Sequence, residues 1–240
     1  MIDKTLLEDW ANRYEVSSFI LTDPIQYPHR YSQKVDIEIS AFLTSWIAYG
    51  NRKCILERAE WLDLKMNRHP YLFIKNREYE CWHNSNLSFY RFFRFADLYD
   101  LCNRLNEIYV TYENMEDAII SKRNNQHPLY TMQVLFNGVK GIPSIKSASA
   151  CKRLCMFLRW MIRSGCVDFG IWSRINQMDL LIPIDTHVYK MATSLGITKR
   201  KNIDIKTAEE ITGYFKQIFP NDPARGDFSL YGRSVQKENG

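Results

Sequence analysis

No two cysteines of this sequence form a CxxC pair, and none of the six lies beyond Cys166. That spacing argues against a zinc ribbon, a thioredoxin-like redox pair and a C-terminal iron–sulfur loop. Cys54, Cys81, Cys102, Cys151, Cys155 and Cys166 are read as reduced, mostly buried thiols, and neither a metal nor a cofactor is expected. Glycine and proline are scarce as well, 10 and 8 residues of 240, and no low-complexity tract or long linker interrupts the chain. No run approaches the ~20 apolar residues that a membrane-spanning helix needs. The opening MIDKTLLEDWANRYE is too charged for a signal peptide, so the expected location is cytoplasmic, with no membrane partner.

What the sequence does carry is helix signal. Ile39, Phe42, Leu43, Trp46 and Ile47 repeat at helical spacing, with Asp36 a candidate cap and Gly50 a candidate stop. CILERAEWLDLKM reads as a second helix and the run from Phe89 through Tyr112 as a third. In ACKRLCMFLRWMIRSG, Leu154, Phe157, Leu158, Met161 and Ile162 make an apolar face, while Lys152, Arg159 and Arg163 share another. That second face is either a solvated charged surface or a basic stripe for a polyanion, and the net charge of +5 admits the latter. Asp185 caps a helix that follows Pro183 and ends at Gly196, and Thr207 with Glu210 has capping-box spacing ahead of another that Pro220 stops. ARGDFSLYGRSVQ supplies a last helix. Alternating runs such as SSFILTD and YLFIK are short and isolated, so the expected class is all-α. Trp46, Trp160 and Trp172 read first as core aromatics and second as a lining for a base pocket.

Three elements in order carry a resemblance: Lys152 at the head of an amphipathic helix, Ile-Pro-Ile-Asp-Thr-His-Val from Ile182 to Val188, and a late DFSLYGR. They resemble the helix-hairpin-helix DNA glycosylases, endonuclease III and its relatives. The strings SACKR, FLRWMIR, IPIDTHV, DPIQYPHRY and DIEISAFLTSWIAYGNRK are also similar, along most of the chain, to a bacterial family of conserved proteins without assigned function.

The resemblance implies two helical subdomains with a cleft between them, one formed by 36–179 and the other by 1–35 with 180–240. It implies a base-excision DNA glycosylase, with AP lyase activity left open, that binds double-stranded DNA as a monomer and flips a damaged base. Lys152 would attack the sugar, and Asp185 would stabilise the positive charge that builds as the base departs. Arg153, Arg159 and Arg163 would contact phosphates, Asn51 and Arg52 would enter the duplex beside the flipped base, and His187 would pack behind the motif. The alternative is a DNA-binding module of the same fold without excision activity, and a third is a helical scaffold for a protein partner.

The sequence departs from that pattern in two places. The Gly-x-Gly turn that offers amides to a phosphate is replaced by GIPSIKSASACK, in which Lys146 competes with Lys152 for the hairpin position. The stretch between Lys152 and Asp185 is longer than in endonuclease III and nearer to the archaeal 8-oxoguanine glycosylases, leaving room for an extra loop, SGCVDFGIWSRINQMD.

Overall fold

The computed structural model describes residues 3–231. Asp3 accepts a hydrogen bond from the Thr5 amide (3.0 Å) and so starts α1, Lys4–Tyr14. Short 3-10 segments follow at Ser17–Thr22, Pro24–Gln26 and Pro28–Arg30. Next come α2 (Lys34–Ile47), α3 (Arg52–Lys65) and α4 (Pro70–Lys75), then a hairpin of β1 (Ser88–Tyr90) and β2 (Phe93–Arg94). α5 (Phe95–Thr111), α6 (Met115–Lys122) and α7 (Pro128–Leu135) lead to a loop, after which come α8 (Lys152–Ile162), α9 (Thr186–Ser194) and α10 (Ile205–Phe215). Residues 226–231 are helical, and the remainder of the last helix expected from sequence lies outside the described residues. The protein is mainly α. Among the described residues no helix is long and apolar enough to cross a membrane.

Local chemistry corrects several element boundaries. The run from Phe89 to Arg94 is a hairpin rather than the start of a helix: Arg91 turns it at φ 53°, and Asp97 accepts from the Arg94 amide (2.6 Å) to begin α5 only at Phe95. YLFIK lies in α4, with Pro70 at its first position. The cap of α10 is Asp204, which accepts from the Thr207 amide (2.9 Å), so Thr207 is already inside the first turn. Asp36 sits in the first turn of α2 and accepts from the Tyr71 amide instead of capping its own helix.

The chain folds as two compact units, Asp23–Ile145 and a second that joins the chain up to Thr22 with the chain from Lys146 onward. The expected division at 35/36 and 179/180 is therefore displaced at both boundaries, and the polar contacts give the reason. The Tyr27 hydroxyl donates to the Leu56 carbonyl (2.6 Å) and Arg30 binds Asp63 and Glu60 (2.6 Å each), which ties 23–35 to α3. The arginines of α8 instead bind carboxylates near the two chain ends, described below.

In the inner unit, Trp46 stacks on Phe93 (3.8 Å between centroids) and donates from its indole nitrogen to the Lys140 carbonyl (2.9 Å). Gly141, at φ 84°, lies so close to the Phe93 ring that a Cβ there would sit 2.5 Å from it. In the terminal unit, Leu7 and Ala11 of α1 pack with Ile182, Ile184 and Val188 around α9, with Ile211 and Phe215 of α10 and with Leu230. The Ser229 hydroxyl donates to the Leu7 carbonyl (2.7 Å), fastening the last described helical turn to the first helix. Trp46, Trp160 and Trp172 are all fully buried, which is the core role and not a pocket lining.

Candidate functional site

The site is built at the heads of α8 and α9, both in the terminal unit. Ahead of α8, Ser147 Oγ accepts from the Ser149 amide (3.2 Å) and Ser149 Oγ accepts from the Cys151 amide (3.1 Å). These are consecutive serine turns that occupy two backbone N–H groups. Cys151 then takes a left-handed conformation at φ 51°, and Lys152 begins the helix. Lys152 and Arg153 are half-buried, whereas Lys146 is exposed in the preceding loop.

Asp185 is positioned by what precedes it. The Ile182 amide donates to Thr212 Oγ1 (3.0 Å), and Pro183 and Ile184 are buried, so the approach to α9 is fixed from α10. Asp185 Oδ1 accepts from the amides of His187 (2.9 Å) and Val188 (3.0 Å) as the helix N-cap. Among the described residues, none donates a hydrogen bond to Asp185 Oδ2. One oxygen holds the helix and the other is not used by the cap. His187 is half-buried in the first turn of α9, and its amide is one of the two that Asp185 receives.

The basic stripe of α8 is where the sequence reading needs correction. Arg159 and Arg163 are only 5% and 2% exposed, so neither presents its charge to a phosphate. Arg159 donates through Nε to Asp168 Oδ1 (3.2 Å) and through Nη1 to Asp227 Oδ2. Arg163 donates to Asp168 Oδ2 (3.0 Å), to both oxygens of Asp222 (2.9 and 3.0 Å) and to Glu15. Arg225 closes on the second oxygen of Glu15 (2.8 Å), and Phe228 lies beneath both α8 arginines, 4.7 Å and 5.2 Å from their guanidinium carbons. A buried arginine is tolerable only with such partners. The four acids come from α1's end, the loop after α8 and the last two segments of the chain, so no local pattern announced them.

That loop, expected as an insertion, is packed. The amides of Phe169 and Trp172 donate to the carbonyls of Trp160 and Met161 (2.9 Å each), and the loop delivers Asp168 to both arginines.

Asp227, the second carboxylate partner of Arg159, belongs to the same unit. Its carboxyl is 7% exposed, and burial pushes it up to about 6. Arg159 opposes that rise, Asp185 adds to it, and Lys152 opposes it. Asn51 and Arg52 belong to the inner unit: Asn51 caps α3 by accepting from the Lys53 amide (2.9 Å), and Arg52 pairs with Asp23 at 3.8 Å.

Among the described residues no group of histidines, cysteines and acids is arranged to hold a metal ion. Cys102, Cys151 and Cys155 are buried, and burial raises all three thiols, but Cys54, Cys81 and Cys166 are exposed, so only half of the cysteines are core residues.

A family model described as "Protein of unknown function (DUF2400)" matches residues 23–236, which takes in the whole inner unit, both helix heads and Asp227. The chain belongs to this family. In this DUF2400 member α1 and Glu15 lie ahead of the matched span, although Glu15 completes the partners of Arg163. Neither the curated proteins nor the solved structures hold a significant match to the chain.

Proposed function

We propose that this protein is a DNA base-excision glycosylase with the helix-hairpin-helix glycosylase fold, acting on a damaged base flipped out of duplex DNA. The observation that carries this reading is that Lys152 and Asp185 stand at the heads of two helices of one compact unit, with only one Asp185 oxygen used by its helix cap. Asp185 keeps one oxygen on the α9 amides and offers the other to the sugar, where a fixed negative charge stabilises an oxocarbenium-like state. Lys152 supplies the amine that attacks the same carbon.

Borohydride added during reaction with a lesion-bearing duplex tests this, because reduction locks a lysine–sugar Schiff base into a covalent adduct. Wild-type protein should be trapped, and Lys152→Gln should not be. Asp185→Asn should lower excision by on the order of 100-fold or more, the scale of losing one preorganised electrostatic contact.

A second reading is a DNA-binding module of the same fold without excision, whose duplex contacts would not use the hairpin amides. Ser147 and Ser149 hold the amides of Ser149 and Cys151, which a phosphate at a glycine-rich hairpin would otherwise receive. Salt-dependent duplex binding without excision across a broad lesion panel would decide for that alternative.

A further inference from the structure

The turn between α9 and α10 holds a basic run whose backbone is fastened to both helices. The Arg200 amide donates to Thr198 Oγ1 (3.2 Å), and the Arg200 carbonyl accepts from the Tyr189 hydroxyl of α9 (2.7 Å). The Arg200 guanidinium group turns back to Asp204 (2.8 Å) and to Thr207 Oγ1 of α10 (3.0 Å), and that hydroxyl donates to the Asn202 carbonyl (2.6 Å). The central cation of the run is thus used inside the turn, while its neighbours Lys199 and Lys201 are exposed. A backbone bridge between Ser149 and Asp204, with the Ile205 amide donating to the Ala148 carbonyl (3.2 Å), lays the loop ahead of α8 beside this turn. That loop carries exposed Lys146, and the head of α10 carries exposed Lys206. Two stretches far apart in sequence therefore bring lysines to one region of the terminal unit.

Little acid answers those charges. Asp204 is the sole acid between Gly196 and Ala208, and Arg200 binds it. No aspartate or glutamate occurs from Ala118 to Val167, so the loop ahead of α8 supplies none. Glu209 and Glu210 stand three and four positions after Lys206 on α10 and oppose that lysine alone of its helix turn. Among the described residues, Lys146, Lys199 and Lys201 have no ion-pair partner. We propose that Lys199 and Lys201, bordered by Lys146, form a phosphate-binding surface for duplex DNA. Lysine suits a phosphate backbone, because a compact charge on a flexible stem meets a phosphate without demanding a fixed geometry. It suits a protein partner poorly, since protein interfaces are depleted in lysine and rest on aromatic and arginine anchors. The fastened backbone keeps the two charges in place, which lessens the ordering required on binding. The surface takes the role that the buried Arg159 and Arg163 cannot fill. The choice of duplex DNA as the polyanion rests on the function proposed above, whereas the unanswered charge of the turn does not.

The test is duplex binding by the full chain, followed by fluorescence anisotropy over a range of salt, with a lesion-bearing and an undamaged duplex. Wild type is compared with the double variant Lys199→Gln, Lys201→Gln. A second double variant, Lys65→Gln with Lys122→Gln, removes two exposed lysines of the inner unit and controls for net charge. All four side chains are exposed, so both variants should keep the fold. The turn variant should lower the slope of log affinity against log salt by about 1 for each lysine, and should weaken both duplexes alike. The control should keep the wild-type slope. A turn variant that matches wild type, or a control that loses as much, overturns the surface and leaves the excision reading standing. Wild type that binds no duplex at low salt overturns both. Wild type that binds phosphatidylserine vesicles through the same two lysines, and no duplex, overturns the proposal in favour of a lipid surface. A lowered slope in a protein that forms no borohydride adduct would uphold the surface while removing the lysine chemistry.

Discussion

Arg159 Nη1 donates to Asp227 Oδ2, joining the middle of α8 to a helical turn 68 positions later in the chain. The same guanidinium group binds Asp168 through Nε. A residue that the sequence offers as a phosphate contact is thus an internal strut, and its neighbour Arg163 is held by even more carboxylates.

Truncating Arg163 should therefore destabilise the fold strongly. Arg163→Ala leaves Asp168, Asp222 and Glu15 with one cation fewer in a buried setting, so a loss of about 3–5 kcal/mol is expected. Urea denaturation measures this. A loss below about 1 kcal/mol would place Arg163 at a hydrated surface, contrary to the ion-pair network.

Asp227 is paired with Arg159, but burial outweighs the pairing, so its pH dependence of stability should run opposite to that of an aspartate dominated by its salt bridge. Its folded-state midpoint, about 6, lies above the ~3.9 of an unfolded chain, so between these values the folded state holds more protons. Stability from this group falls as pH rises through that window, by at most roughly 3 kcal/mol, and is flat above it. Asp227→Asn does not titrate, so its stability relative to wild type should improve from pH 4 to pH 7. A difference between the two proteins that stays constant over that range would be inconsistent with a raised Asp227.

At Asp185 the helix cap and the proposed chemistry separate by substitution. Asp185→Asn retains an oxygen for the His187 and Val188 amides, so it should melt close to wild type while losing excision. Asp185→Ala loses the cap as well and should cost about 1 kcal/mol more. Equal thermal stability of the two variants would mean that the cap contributes nothing.

The thiols give a direct check on burial. Cys54, Cys81 and Cys166 should react with an aromatic disulfide reagent in native protein, and Cys102, Cys151 and Cys155 only after denaturation. Rapid modification of Cys151 or Cys155 would show that the head of α8 opens.

The helices were legible because their signals are local. The period of Ile39 to Ile47 and the cap at Asp185 depend on neighbours within one or two turns, and both appear in the structure. The hairpin at Phe89–Arg94 was hidden because its aromatics satisfy a helical period equally well, and Arg91 at positive φ leaves no signature in composition. Arg159 and Arg163 were correctly placed on one helix face but wrongly given to solvent. Periodicity states which residues share a face and is silent on what covers it. Here the cover comes from Glu15, Asp168, Asp222 and Asp227, spread from the first helix to the last. Asp227 opens the DFSLYGR run, yet its partner Arg159 lies at long sequence separation.

The bond from Ser229 to the Leu7 carbonyl bears on how the chain is made. The two residues are 222 positions apart, and a ribosome adding about 5–20 residues per second needs roughly 10–45 s to supply the second after the first. For that interval α1, an 11-residue helix too short to be stable alone in water, has no Ile211, Phe215 or Leu230 to cover Leu7 and Ala11. Asp23–Ile145 is complete in the nascent chain well before that. Vectorial synthesis thus completes Asp23–Ile145 while α1 still waits for partners supplied by α10 and Leu230.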